Sequence, residues 1–251
     1  MQRSDVAIAT LTLVRDPEEH RLVAAALSGL AAAGMPVAIS DGGSPPNFLD
    51  YVAGLPAVQA VPPDHPGLVG QIKASLRAAA QTGRRFILYL EPDKESFVES
   101  RLASFLSQAP DDNDVGVVLA ARSARSLDTY PSTQKFAESA FNTLAGEALR
   151  LPADYLYGPC VLNRELVPSA EGAGAALGWG WRPYVFAIAL RVGLRVLAIE
   201  GEHPCPDAQR AERDADRIHR LRQLGQNLNG LVEGLTARIP GDRFPSGAGG
   251  V

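Results

Sequence analysis

A single α/β domain with a mostly parallel sheet is the fold class this sequence predicts. Short apolar, β-rich runs alternate with Ala- and Leu-rich stretches of helical period, the pattern of strands joined by crossover helices. The 251 residues give enough length for one large α/β domain. No internal repeat and no linker-like change of composition divides the chain. Residues 1–239 are therefore expected to form one unit, followed by a loose Gly- and Pro-containing tail at 240–251.

The first strand is expected over 6–14 and a helix over 17–33, with Asp16 as N-cap, Pro17 at the first helical position and Gly34 as the stop. Residues 37–40 read as a second strand that ends in the turn DGGSPP, 47–54 as a short helix, and 58–61 as a third strand. A helix over 68–82 precedes the buried strand 86–90. One helix over 96–108 and a strand over 115–120 follow. In the second half, 132–149 reads as a helix with Phe136, Ala140, Phe141 and Leu144 on one face. Residues 156–162 are a strand or an irregular segment, because Gly158 and Pro159 interrupt them. The Gly-rich segment 171–183 leads into a helix over 184–192, and 194–199 read as the last strand. A charged C-terminal helix over 207–238 carries Ile218, Leu221, Leu224, Leu228, Leu231 and Leu235 as an apolar stripe, suited to the parent domain or to a second copy in a homo-oligomer.

Composition narrows the function classes. Hydrophobic residues make up 46% and charged residues 21%, ordinary for a soluble domain, and the formal charge of −4 lacks the basic footprint of a nucleic-acid binder. No run approaches the roughly 18 apolar residues of a membrane span. The opening MQRSDVAIATLTLVRD reads as a first strand and not as a signal peptide. Cys160 and Cys205 are far apart and in no CxxC pair, so two free thiols and a cytoplasmic location are expected.

The richest stretch is FILYLEPDKE, 86–95, an apolar strand that runs abruptly into acids. Ligands of open α/β sheets bind at the carboxyl ends of strands. Glu91 and Asp93, two apart on an extended segment, offer hard oxygens to Mg²⁺ or Mn²⁺, which in turn neutralise a diphosphate. The same residues also suit a solvated helix N-terminus, with Pro92 in its first turn.

In order, the segments VAIATLTLVRDPE (6–18), VAISDGGS (37–44), GLVGQIKASLRAAAQTGRRFILYLEPDKE (67–95) and YLYGPCVLNREL (155–166) together resemble a GT-A-type glycosyltransferase of glycosyltransferase family 2 and its relatives. GWGWRPYVFAIALRVGLRVLAIEGEHP (178–204) is a softer match, similar to the mannosylglycerate synthase type at its GWG opening. The resemblance spans roughly residues 5–205. It implies a metal-dependent enzyme that moves a sugar from a nucleoside-diphosphate sugar to a hydroxyl acceptor. On it, Thr12, Arg15, Asp41, Lys73 and Asp93 contact the donor, and Glu91, Asp93 and His203 hold the metal. Trp179, Trp181 and Arg182 face the acceptor, and Gly158 permits close backbone approach. One departure stands out: Trp181 and Arg182 occupy the place of the acid expected just after GWG.

Each residue also has a plainer reading. Asp41 suits a turn that bonds its own backbone, and Lys73 suits the solvated face of a helix. His203 suits a structural role, and both tryptophans suit core anchors. His219 resembles a C-terminal His-Arg segment of some relatives, yet on its helix it suits a place beside the apolar stripe. Arg122 and Arg125 are further candidate anion binders. Two rival functions remain: a GT-A-like nucleotide-binding module that has lost catalysis, and a nucleotidyltransferase. The second usually has a Gly-rich basic loop after its first strand, which TLVRDPEE lacks.

Overall fold

The computed structural model describes residues 1–238, and the expected tail at 240–251 lies outside them. The strands are β1 (Val6–Thr12), β2 (Val37–Asp41), β3 (Val58–Val61), β4 (Phe86–Tyr89), β5 (Val115–Arg122), β6 (Cys160–Asn163) and β7 (Arg195–Gly201). The helices are α1 (Pro17–Ala32), α2 (Pro46–Ala53), α3 (Leu68–Gln81), α4 (Glu95–Ser100), α5 (Leu102–Gln108), α6 (Ala124–Leu127), α7 (Ser132–Leu149), α8 (Val167–Ala170), α9 (Trp181–Arg191) and α10 (Asp214–Thr236). Among the described residues no helix is long and apolar enough to cross a membrane.

The strands form one sheet in the order β3-β2-β1-β4-β6-β5-β7. All neighbours are parallel except that β6 runs antiparallel to both β4 and β5. Side chains alternate between faces along each strand. Phe86 and Leu88 enter a core with α1, α2, α4 and α5, whereas Ile87 and Tyr89 enter a second core with α3, α7 and α9. With both faces covered, strands such as β5 are buried at every position, as parallel sheets require.

Local chemistry sets the helix ends. Asp16 accepts from the N–H groups of Glu18 and Glu19 while Pro17 opens α1, and Gly34 follows it with φ +75°. Several expectations are corrected. The single helix over 96–108 is two, broken at Arg101 (φ −122°, ψ −26°). On α7, Phe136 and Leu144 point to solvent, and the inward face is Ala137, Phe141, Ala145 and Leu149. The helix after the Gly-rich segment begins at Trp181, and the C-terminal helix begins at Asp214.

The stripe on α10 is only half used. Leu231 is buried and Leu224 and Leu228 pack on the core, while Ile218 and Leu221 are exposed. Glycines, more than leucines, seat this helix. A Cβ on Gly230 would run into the carbonyl oxygen of Gly180, and one on Gly234 would stand 2.5 Å from the carbonyl oxygen of Tyr184.

Candidate functional site

The chain builds β1, β2 and β3 toward one edge of the sheet and then starts β4 on the other side of β1. Where the strand order reverses, the crossovers leave in opposite directions and open a crevice at the carboxyl ends. A cleft of about 840 Å³ lies there, walled by the turn after β4, by α1 and α7, by the start of α9 and by the first half of α10. Because β6 is antiparallel, its entering segment 157–159 lies beside the turn leaving β4.

The acid motif meets two cations in this crevice. Asp93 keeps a half-exposed side chain and accepts from Lys94 Nζ at 2.8 Å. Glu91 is nearly buried, with Arg182 Nη1 3.5 Å from its Oε1. Burial is the largest influence on Arg182 and opposes its charge, but Glu91, together with Tyr89, Cys160 and Glu138, holds the guanidinium above its ordinary pKa. Lys94 behaves alike: burial opposes its charge, and Asp93 and Glu91 raise it. Gly158 (φ +131°) makes this packing possible, since a Cβ there would stand 2.6 Å from Glu91 Oε2 and 3.0 Å from Lys94 Cε.

Arg122 forms the cleft's rigid side wall. Its guanidinium donates to Asp154 (2.6 and 2.9 Å) and Glu138 (2.5 Å) with almost no solvent exposure. Burial opposes ionisation of Asp154, yet Arg122 pulls its pKa below the ordinary carboxylate value. All its partners are internal, so Arg122 is an anchor here and not the free anion binder the sequence allowed. It also sits 4.5 Å from the centroid of Tyr130, another cleft-lining side chain.

The expected site residues fall into two groups. Arg15, Glu91, Asp93, Trp179 and Arg182 line the cleft together. Arg15 also pairs with Glu19 at 3.3 Å. Thr12 and Asp41 lie at the neighbouring strand ends and bond to each other at 2.8 Å. Asp41 also accepts from the N–H groups of Gly43 and Ser44 and from the Ser44 hydroxyl, so its carboxylate organises the DGGS turn. Lys73 is half-buried on α3, near Asp64. Trp181 is in the core, edge-on to Tyr89 at 4.7 Å.

His203 is buried and stacked on Tyr157 (4.6 Å, 14°), and its backbone N–H donates to Ser126. Among the described residues no three His, Cys, Asp or Glu side chains gather as a metal cluster, so His203 does not join Glu91 and Asp93 in one. The donor set that fits a divalent cation is smaller. Asp93 presents a half-open carboxylate, and Mg²⁺ or Mn²⁺ is commonly held by one or two carboxylates with substrate phosphates supplying the rest.

His219 and Arg220, the pair that resembles a C-terminal His-Arg segment of some relatives, line the cleft on α10. Sequence reading missed Lys94, Tyr157, Gln223 and Asn227, which also line the walls. Lys94 carried a legible signal, being adjacent to the acids; Asn227 had none.

No protein-family model matches the chain, and no curated protein matches it by sequence. Solved structures do match. Glucosyl-3-phosphoglycerate synthase from Mycobacterium tuberculosis in complex with uridine diphosphate superposes with a TM-score of 0.63 at 14% identity, covering 95% of this chain and 82% of that one. Its complex with Mn²⁺, uridine diphosphate and phosphoglyceric acid gives 0.62 at 15% identity, covering 95% and 81%. The complex with Mg²⁺ and uridine diphosphate gives 0.59 at 13%, covering 95% and 82%. At such identities the likeness is one of architecture: this chain has the GT-A-type α/β fold of those enzymes.

Proposed function

We propose that the protein is a glycosyltransferase that moves a sugar from a nucleoside-diphosphate sugar to a hydroxyl acceptor. One observation carries the reading: the Glu91–Asp93 acid motif leaves β4 into a large cleft at the reversal point of a GT-A-type sheet. The named structures of this fold hold uridine diphosphate with Mn²⁺ or Mg²⁺, which supports a similar donor and ion here.

Each wall has a task in this reading. Arg15, on the loop after β1, faces the cleft as a cation for the donor's phosphates. Asp93 holds the divalent ion, which, when bound, offsets the charge of the departing diphosphate. Lys94 adds a fixed positive charge beside it, buried enough to resist screening. Asp41 and Thr12 set the turn at the neighbouring strand end. The acceptor hydroxyl attacks the anomeric carbon, the bond to the phosphate oxygen breaks, the electron pair leaves with the diphosphate, and the hydroxyl proton passes to the released diphosphate or to solvent.

A second reading is favoured by Arg182, which stands where the resemblance expects an acid: a module that binds the nucleotide without turning over the sugar. Donor hydrolysis or transfer assays separate the two.

The test of the donor site is thermal unfolding with nucleoside diphosphates and nucleotide sugars, with and without Mn²⁺, on wild type and Asp93→Ala. A ligand at 100 times its Kd stabilises the native state by about 2.7 kcal/mol, a rise of several degrees for a chain of this size. A Mn²⁺-dependent rise with one nucleotide, lost in Asp93→Ala, is expected. A well-folded wild type that responds to no nucleotide refutes the donor site.

A further inference from the structure

Three residues at the cleft wall are about nine-tenths buried or more and hold polar atoms with no hydrogen-bond partner among the described residues, although Glu91 Oε1 and Arg182 Nη1 face each other as an ion pair. They are Glu91 (both carboxylate oxygens), Arg182 (Nε and Nη1) and Asn227 (Oδ1), at 9%, 6% and 4% exposure. Native proteins leave few such groups unpaired, and those left face something that pairs them. All three line the same cleft. They come from three elements, the turn after β4, the start of α9 and the middle of α10, so their burial at one cleft is not a by-product of one turn. Beside them the half-buried indole of Trp179 also lines the cleft, with the Arg182 guanidinium 5.8 Å from its ring centroid.

The chemistry of this set selects its ligand. Glu91 and Asn227 offer acceptors, and Arg182 offers donors. A phosphate or carboxylate placed here would meet Glu91, and an ammonium would meet Arg182. Glu91 and Arg182 lie 3.5 Å apart and neutralise one another, so a charged ligand would have to break the pair. A ring bearing several hydroxyls suits both members, because each hydroxyl donates and accepts. Its apolar face suits an indole.

We propose that Glu91, Arg182 and Asn227, with Trp179 as a stacking face, form a monosaccharide subsite selective for an uncharged hexose ring. Within the transferase reading, on which this inference rests, the ring is the sugar that is moved. Arg182 is then a recognition residue in its own right, at the place where the resemblance expects an acid.

Calorimetry with Mn²⁺ present tests this with bare UDP and GDP, with UDP-glucose and GDP-mannose, and with UDP-glucuronate. Wild type is expected to bind one neutral conjugate at least tenfold more tightly than its bare diphosphate, and UDP-glucuronate no more tightly than UDP. Arg182→Met, Asn227→Ala and Glu91→Gln should each cut that increment below threefold, and thermal unfolding identifies any variant that fails to fold. A neutral conjugate no tighter than its diphosphate overturns the subsite while leaving nucleotide binding intact. Tighter binding of the glucuronate overturns its selectivity. If no nucleotide binds, the transferase reading falls. The methyl glycosides of glucose, mannose and galactose then decide the subsite alone, by tryptophan fluorescence against Trp179→Phe. A saturable change with one glycoside, absent from that variant, sustains it, and no change with any refutes it.

Discussion

His203 follows the last strand beside Glu202, and from the sequence it serves equally as a metal ligand or as a structural ring. The fold buries it against Tyr157 and Phe97, and its pKa is pushed down to about 4, first by burial and then by Arg101 and Arg122. The unfolded chain takes up that proton near pH 6.5, while the folded chain waits until about 4, so acid favours unfolding within this window. Stability from this ring is complete above about pH 6.5 and falls by about 2 kcal/mol at pH 5. Denaturant unfolding at pH 7.5 and 5 should show a smaller acid loss in His203→Gln than in wild type; equal losses would show that the ring does not titrate this way. At this scale legibility depended on adjacency in sequence. Glu91, Asp93 and Lys94 announce themselves because they follow one another. Arg182 meets Glu91, and Asn227 comes to line the same cleft, only through the packing of α9 and α10, which no local pattern encodes.

Among the elements, α10 shows what periodicity conveys and what it hides. Apolar spacing marks a helix correctly, yet Ile218 and Leu221 face solvent and glycines make the closest contacts. Helix propensity favours alanine over glycine by about 1 kcal/mol, so space decides the sign of each substitution. A methyl added at Gly225 would meet nothing within 4 Å among the described residues, and Gly225→Ala should stabilise by up to about 1 kcal/mol. Gly230→Ala should destabilise by about 3 kcal/mol, because the methyl is fixed to the helix backbone and the Gly180 carbonyl it meets is itself backbone. Thermal melts of the two variants should move in opposite directions; matching shifts would refute the close helix contact. The break at Arg101 was hidden for a related reason, since α4 and α5 continue one apolar pattern on either side of it.

At the level of the whole molecule, stability is distributed unevenly. The central strands are buried on both faces, whereas the first turns of α10, Asp214–Arg222, are mostly exposed. Native-state hydrogen exchange should therefore find the slowest amides in β1, β4, β5 and β6, and much faster ones over 214–222, with opening there at a fraction of the global free energy. Uniform protection along α10 would contradict that division. The alternation of strands and helices made the α/β class readable from the chain alone. The sheet order was not readable, because LYGPCVL carries no clean period and its antiparallel insertion between β4 and β5 depends on partners distant in sequence.

The backbone contact between Gly180 and Gly230 bears on biosynthesis. All seven strands, the acid motif and Arg182 leave the ribosome before the middle of α10 does. A nascent chain arrested near residue 210 holds every strand of the sheet, but it lacks Asn227 and the glycine that docks against Gly180. Translation thus makes every strand of the described sheet before it makes the part of α10 that walls the cleft.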